Sequence, residues 1–247
     1  MRVPHIYQPS VITLDNPVTL DEDAAGHIGR VLRMKVGEQV SIFNGEGGEY
    51  LSEIIEVSKK NVVVQPLEFI DHDVESPLKI HLGQGVSRGD KMDFTIQKSV
   101  ELGIAEVIPL HTERSVVRLD GERAAKKLTH WESILVAASE QSGRTVLPQL
   151  QVVQNLPLWL SSLNPHDNAL RLMLTPRSDQ TILSVLKRCT PQALTLLIGP
   201  EGGLSDAEEE QAKRAGFVPV TMGQRILRTE TAGIVALATI HTVWNQF

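Results

Sequence analysis

Hydrophobic positions change their rhythm about a third of the way along the chain. Through residue 70 they fall in short β-type runs, at 11–14, 39–43, 50–57 and 62–70. Turn formers separate them: Asn44-Gly45 with two further glycines, and Lys59-Lys60-Asn61. One helical pattern interrupts at 21–34, with His27, Ile28, Val31 and Leu32 on its apolar face. So many short strands in so few residues need closure to protect their edges, which predicts a small barrel. The stretch 71–77 is polar and ends in proline, and the predicted boundary lies there, between domains 1–72 and 73–247. Beyond it, strands and helices alternate. Strands are expected at 78–82, 107–110, 170–174, 194–198 and 218–222. Helices are expected at 90–102, 122–142, 155–163, 179–188 and 229–244, with another after Ser205. Such alternation predicts an α/β domain: a parallel sheet with helices on both faces.

Two late strands each open into a loop that leads to a helix. The run 194–198 breaks into Gly199-Pro200-Glu201-Gly202-Gly203, then Ser205 with Glu208 three residues on, a capping-box spacing. The run 218–222 breaks into Gly223 to Arg228, with Ile226-Leu227 between Arg225 and Arg228 and Thr229 placed to cap the next helix. Glycine-rich backbone lets a ligand approach the main chain, and strand ends of open α/β sheets are where ligands bind. The glycines at 83–89 lack dinucleotide spacing, and no G-x-x-x-x-G-K-[ST] occurs. The acids 208–210 fit the wet first turn of a helix.

GPEGG followed by MGQRILRTETA resembles two ligand loops of the SPOUT methyltransferases. Within them it is similar to the RsmE family, the uridine-N3 methyltransferases of bacterial small-subunit ribosomal RNA. HIGRVLRMKVG at 27–37, LGQGVSRGDKMDFTIQKSVELG at 82–103 and EQSGR at 140–144 extend the resemblance over the chain. It implies a PUA-like barrel that holds RNA, a second domain with a trefoil knot, and a homodimer. It implies that Leu174, Thr175, Ile198, Gly199, Pro200, Glu201, Gly202, Met222, Gly223, Arg225, Ile226 and Leu227 wrap S-adenosylmethionine.

The reaction so implied is methylation of uracil N3, which holds its proton near neutral pH. A cation can stabilise charge developing on O2 or O4, and Arg228 is the candidate. A carboxylate can take the proton or orient a group, which suggests Glu230 or Glu140, although Glu140 also suits a partner for Arg144. A sulfonium donor needs no metal, and none is expected.

Composition adds limits. A net charge of −6 does not announce a nucleic-acid binder, so an RNA surface must be local. Residues 1–76 carry 6 basic against 13 acidic side chains, yet Arg30, Arg33 and Lys35 cluster there. A second cluster includes Arg88, Lys91, Arg114 and Arg118. No apolar run reaches the ~20 residues of a membrane span, and the single Cys189 forms no internal disulfide. A cytoplasmic setting is expected. Three other functions are weighed: a non-catalytic RNA binder would not need both ligand loops; a nucleotide-dependent oxidoreductase lacks its glycine motif; ribose 2′-O methylation is the nearest rival.

Overall fold

A computed structural model of the chain describes residues 3–58, 61–164, 168–189 and 193–244. Lys59 and Lys60 of the predicted turn lie outside the described residues. The chain forms two compact units. One comprises residues up to Glu75 together with Val136–Leu147; the other comprises Ser76–Leu135 and the chain from Pro148. A cut near residue 72 leaves out 73–75 and the later segment, which no local composition marks.

In the first unit, strands β1 (His5–Tyr7), β2 (Val18–Thr19), β3 (Gln39–Phe43), β4 (Glu49–Val57) and β5 (Val62–Ile70) form a sheet in the order β1-β3-β4-β5-β2. Alternate strand residues such as Ile6, Val40, Ile42, Ile54, Val62 and Val64 meet Ala24, Ala25 and Ile28 in one core. The predicted strand at 11–14 does not form. Only Ile12 there is buried, Val11 is 84 % exposed, and prolines at 9 and 17 bracket the run. The predicted helix at 21–34 divides. Asp21 caps a short α1 (Glu22–Gly26), accepting from Ala24 N at 2.8 Å. A π-helical stretch, His27–Leu32, follows and ends at Arg33 in the left-handed region (φ 55°). Gly26 and Gly29 make that segment a weak α-helix.

In the second unit, β6 (Lys79–Gly85), α2 (Asp90–Glu101), β7 (Glu106–His111), α3 (Gly121–Ser142), β8 (Gln149–Leu150) and β9 (Gln154–Asn155) come first. The last residues of α3 belong to the first unit. Then follow α4 (Leu156–Ser162), β10 (Leu170–Leu174), α5 (Ile182–Leu186), β11 (Ala193–Ile198), α6 (Asp206–Arg214), β12 (Val218–Val220) and α7 (Thr229–Trp244). The strands are parallel, in the order β12-β10-β11-β6-β7-β8, with β9 also on β7. The apolar run of β11 is buried on both faces. Leu197 and Met173 pack with Trp159 of α4 and Ala212 of α6. On the other face α7 packs with α2, α5 and β11. The helix expected at 179–188 is only α5, capped by the Thr181 side chain at Ser184 N. Strands β10, β11 and β12 are neighbours, so three loops open side by side at their C-terminal ends.

Candidate ligand cavity

Those loops enclose a cavity of about 440 Å³, a size that suits a small cofactor. Leu174, Thr175, Ile198, Gly199, Pro200, Glu201, Gly202, Met222, Arg225, Ile226, Leu227, Arg228 and Glu230 all line it. Gly223 does not; it turns the chain at φ 126° directly after Met222. A wider depression of about 1020 Å³ lies beyond β7 and holds Arg118. Its lining is polar as well, but it lacks the glycine-opened strand-end loops of the smaller cavity.

Close packing fixes the 199–205 loop. A Cβ on Gly199 would lie 2.9 Å from Gly203 C and Leu204 N, and one on Gly85 would lie 2.5 Å from Pro200 N. Hence only glycine fits at both places. A Cβ on Gly202 would meet the Arg114 side chain at 3.0 Å. Thr229 does not cap its helix. Its hydroxyl donates to Gly199 O at 2.7 Å, joining the start of α7 to the loop. The fully buried Gln84 completes this link, donating to Thr229 Oγ1 and to Gly85 O, each at 3.0 Å.

Side chains brace the loop from outside. Arg114 Nη1 donates to Gly202 O at 3.0 Å and Leu204 O at 3.2 Å. Glu201 accepts from Arg88 N at 3.0 Å and Lys91 Nζ at 3.1 Å. Partial burial works against its ionisation, but these donors outweigh that and hold its carboxyl below the usual range. Of the basic residues expected at an RNA surface, Lys91 and Arg114 hold a glycine loop through their side chains, and Arg88 does so through its main chain.

The opposite wall differs. Ile226 is 84 % exposed although it lines the cavity. Among the described residues, the side chains of Arg225 and Arg228 make no hydrogen bond or ion pair, and Glu230 Oε2 is buried without a hydrogen-bond partner. A cation and a carboxylate thus face one small apolar cavity near the first turn of α7. That combination can stabilise an anion and accept a proton.

Glu140 is not part of this cavity. It belongs to the first unit, where Oε1 accepts from Tyr7 N at 2.9 Å. Burial pushes its carboxyl up, opposed by that bond. Nor does it pair with Arg144, whose guanidinium engages Glu75, with Nε donating at 2.8 Å. The expected ion pair gives way to a partly buried strand contact. Arg30, Arg33 and Lys35 are exposed on the π-helical stretch and the turn after it. Sequence reasoning missed Gln84 and Gly85. The Gly-Gln-Gly at 83–85, closing a strand beside the ligand loops, was the available signal.

Residues 74–241 match the family described as RNA methyltransferase domain, and residues 20–67 that described as RNA methyltransferase PUA domain. Ribosomal RNA small subunit methyltransferase E of Buchnera aphidicola is 32 % identical over 246 residues, covering 100 % of this chain and 96 % of that protein. The Bacillus subtilis protein of that name is 35 % identical, covering 87 % and 85 %. A crystal structure of the Neisseria gonorrhoeae protein of that name, bound to S-adenosyl methionine, superposes with a TM-score of 0.90 at 35 % identity over 98 % of each chain. A Legionella pneumophila methyltransferase in complex with SAM gives 0.91 at 40 % identity, again over 98 % of each chain. This chain, with its PUA unit and its parallel-sheet unit, belongs to the ribosomal RNA small subunit methyltransferase E family of the SPOUT superfamily.

Proposed function

We propose that the chain methylates N3 of a uridine in small-subunit ribosomal RNA, using S-adenosylmethionine held in the 440 Å³ cavity. The observation that carries this reading is the convergence on one cavity of two glycine-opened loops, an unengaged Arg228 and a buried, unpartnered Glu230 oxygen. The residues present fit the cofactor. Leu174, Ile198, Ile226 and Leu227 offer apolar faces for an adenine, and the loop backbone offers polar groups. When bound, the cofactor supplies an electrophilic methyl group on a sulfonium.

The chain's own residues then have distinct tasks. Glu230, in the first turn of α7, takes the N3 proton. Arg228 faces the uracil oxygens and stabilises the negative charge that grows as the proton leaves. The loops hold the reactants in line, and the apolar lining excludes water. The products are N3-methyluridine, S-adenosylhomocysteine and a proton.

Arg30, Arg33 and Lys35 engage RNA phosphates in this reading, with Arg88 and Arg118 on the second unit. A trefoil knot accompanies it, supported by the order β12-β10-β11 and by Thr221, which pairs with Gln180 and Ile182. The reading includes a cytoplasmic homodimer built on α7. Gly233, Ala236, Leu237 and Ile240 are buried within the chain, while Val235 stays 37 % exposed and Ile234 and Ala238 are only partly covered. A monomer in micromolar X-ray scattering overturns the dimer.

The test of the activity is nucleoside mass spectrometry on small-subunit ribosomal RNA incubated with the protein and S-adenosylmethionine. 3-Methyluridine is expected. A ribose-methylated nucleoside, or none, overturns the reading.

A further inference from the structure

The acids of α6, which the sequence places on a wet helix face, are not all solvated. Glu208 is 2 % exposed and Glu209 is 9 % exposed. Burying an ionised carboxylate is costly unless it is paired, so their partners carry information. Glu208 is the N3 residue of the Ser205 capping box, with Oε2 accepting from Ser205 N at 2.9 Å. Capping leaves its other oxygen unexplained. Oε1 accepts from Glu113 N at 2.8 Å, in the turn after β7 that also carries Arg114.

Glu209 has no capping role. Its Oε1 accepts from Thr175 Oγ1 at 2.9 Å and from Arg177 Nη2 at 2.7 Å, both just beyond the end of β10. Thr175 Oγ1 also accepts from Arg177 N at 3.3 Å. Thr175 is buried and lines the ligand cavity. One turn of one helix therefore grips the exits of three parallel strands: β7 through Glu113, β11 through Ser205 and β10 through Thr175. Two of those exits are cavity wall.

We propose that Glu209 is a positioning residue for the cofactor cavity. It acts through Thr175 to fix the β10 exit against the 199–205 loop, which Glu208 holds from the same turn. This rests on the reading that S-adenosylmethionine occupies the cavity. Glu209 touches no ligand in this scheme. Its carboxylate fixes where the Thr175 main chain stands, and so the width of the cavity between β10 and β11.

The test is isothermal titration of the full-length protein with S-adenosylmethionine, with melting temperatures recorded alongside. The proteins are the wild type, Glu209→Ala, Glu209→Gln, Thr175→Val and the Thr175→Val/Glu209→Ala double variant. Glu209→Ala is expected to weaken binding about tenfold or more, the scale of a lost charged hydrogen bond. Glu209→Gln keeps an acceptor for Thr175 and should recover much of that loss. The double variant should bind no more weakly than Glu209→Ala, because both changes break one link. Unchanged affinity in Glu209→Ala, with or without a lower melting temperature, overturns the proposal; so does a double variant whose loss is the product of the single losses. If the wild type does not bind, the cavity reading fails first, and the two failures are distinguished.

Discussion

The two walls of the ligand cavity are built differently. The 199–205 loop is held by Arg114, Gln84 through Thr229, Glu208 at Ser205, and Arg88 and Lys91 at Glu201. The 221–228 loop has far less. Thr221 pairs with Gln180 and Ile182 and its hydroxyl bonds to Gly223, and Arg228 O accepts from Ala232 N. Among the described residues, the side chains from Gln224 to Leu227 make no hydrogen bond. Holding the backbone of each such residue in place when a ligand arrives costs about 1–2 kcal/mol. A rigid wall sets position, and a loose wall admits ligand and closes on it. The residues proposed for chemistry start where the loose wall meets α7.

The largest effect should come from that junction. If Arg228 stabilises a uracil anion, its interaction exists mainly in the transition state. Arg228→Ala should then slow single-turnover methylation by ~10²–10³-fold with cofactor affinity nearly unchanged. Part of the rate should return at higher pH, where hydroxide helps form the anion. A proportional loss of affinity would move Arg228 from chemistry to binding.

Next comes the rigid wall. Gly199→Ala places a methyl group 2.9 Å from the backbone of Gly203 and Leu204. Forced backbone strain costs about 1–3 kcal/mol. Cofactor affinity should fall roughly 10- to 100-fold, with the rate at saturation less affected. By contrast, Ile226→Ala on the loose wall should lower affinity without changing the free protein's stability, since Ile226 is exposed. Equal melting losses in both variants would erase the distinction.

A smaller effect is expected away from both walls. Arg33→Glu with Lys35→Glu should weaken RNA binding and flatten its dependence on salt, each lost phosphate contact removing ~0.7–0.9 from the log–log slope. Cofactor affinity should not move. Loss of both together would point to unfolding.

The smallest concerns Glu140, whose carboxyl burial pushes above the ordinary value. A carboxyl with a raised folded pKa favours the fold while both states are protonated. That contribution falls as pH climbs from the unfolded pKa through the folded one. Glu140→Gln removes this term. The melting-temperature difference, variant minus wild type, should therefore rise with pH through and above the ordinary carboxylate range. Cofactor affinity should stay constant. A difference independent of pH would contradict the assigned burial effect.

Much of this was legible in the sequence, for reasons that differ by element. Strands 39–43, 62–70 and 170–174 and helix 229–244 match the structure residue for residue, because apolar pattern and breakers agree there. The 11–14 run failed because apolar residues alone do not supply a pairing partner. The 21–34 helix divided because its glycines weaken the α form and Arg33 takes a left-handed turn. The loops of the cavity were readable from their glycines. Gln84, Glu208 and Glu209 were not, because their partners lie roughly 35 to 145 positions away in sequence. The capping box explained Glu208 well enough to hide its second bond. The placement of Glu140 among β-strand contacts was hidden in the same way, since a helix end says nothing of which strand it meets.

Hydrogen exchange with and without S-adenosylmethionine tests the contrast between the walls most directly. The amides of Gly203 and Ser205 already bond within the folded loop. Those of Gln224 to Arg228 have no acceptor among the described residues. Cofactor is expected to slow exchange strongly at 224–228 while leaving Gly203 and Ser205 little changed. Equal protection of both loops on binding, or protection confined to 199–205, would contradict the account.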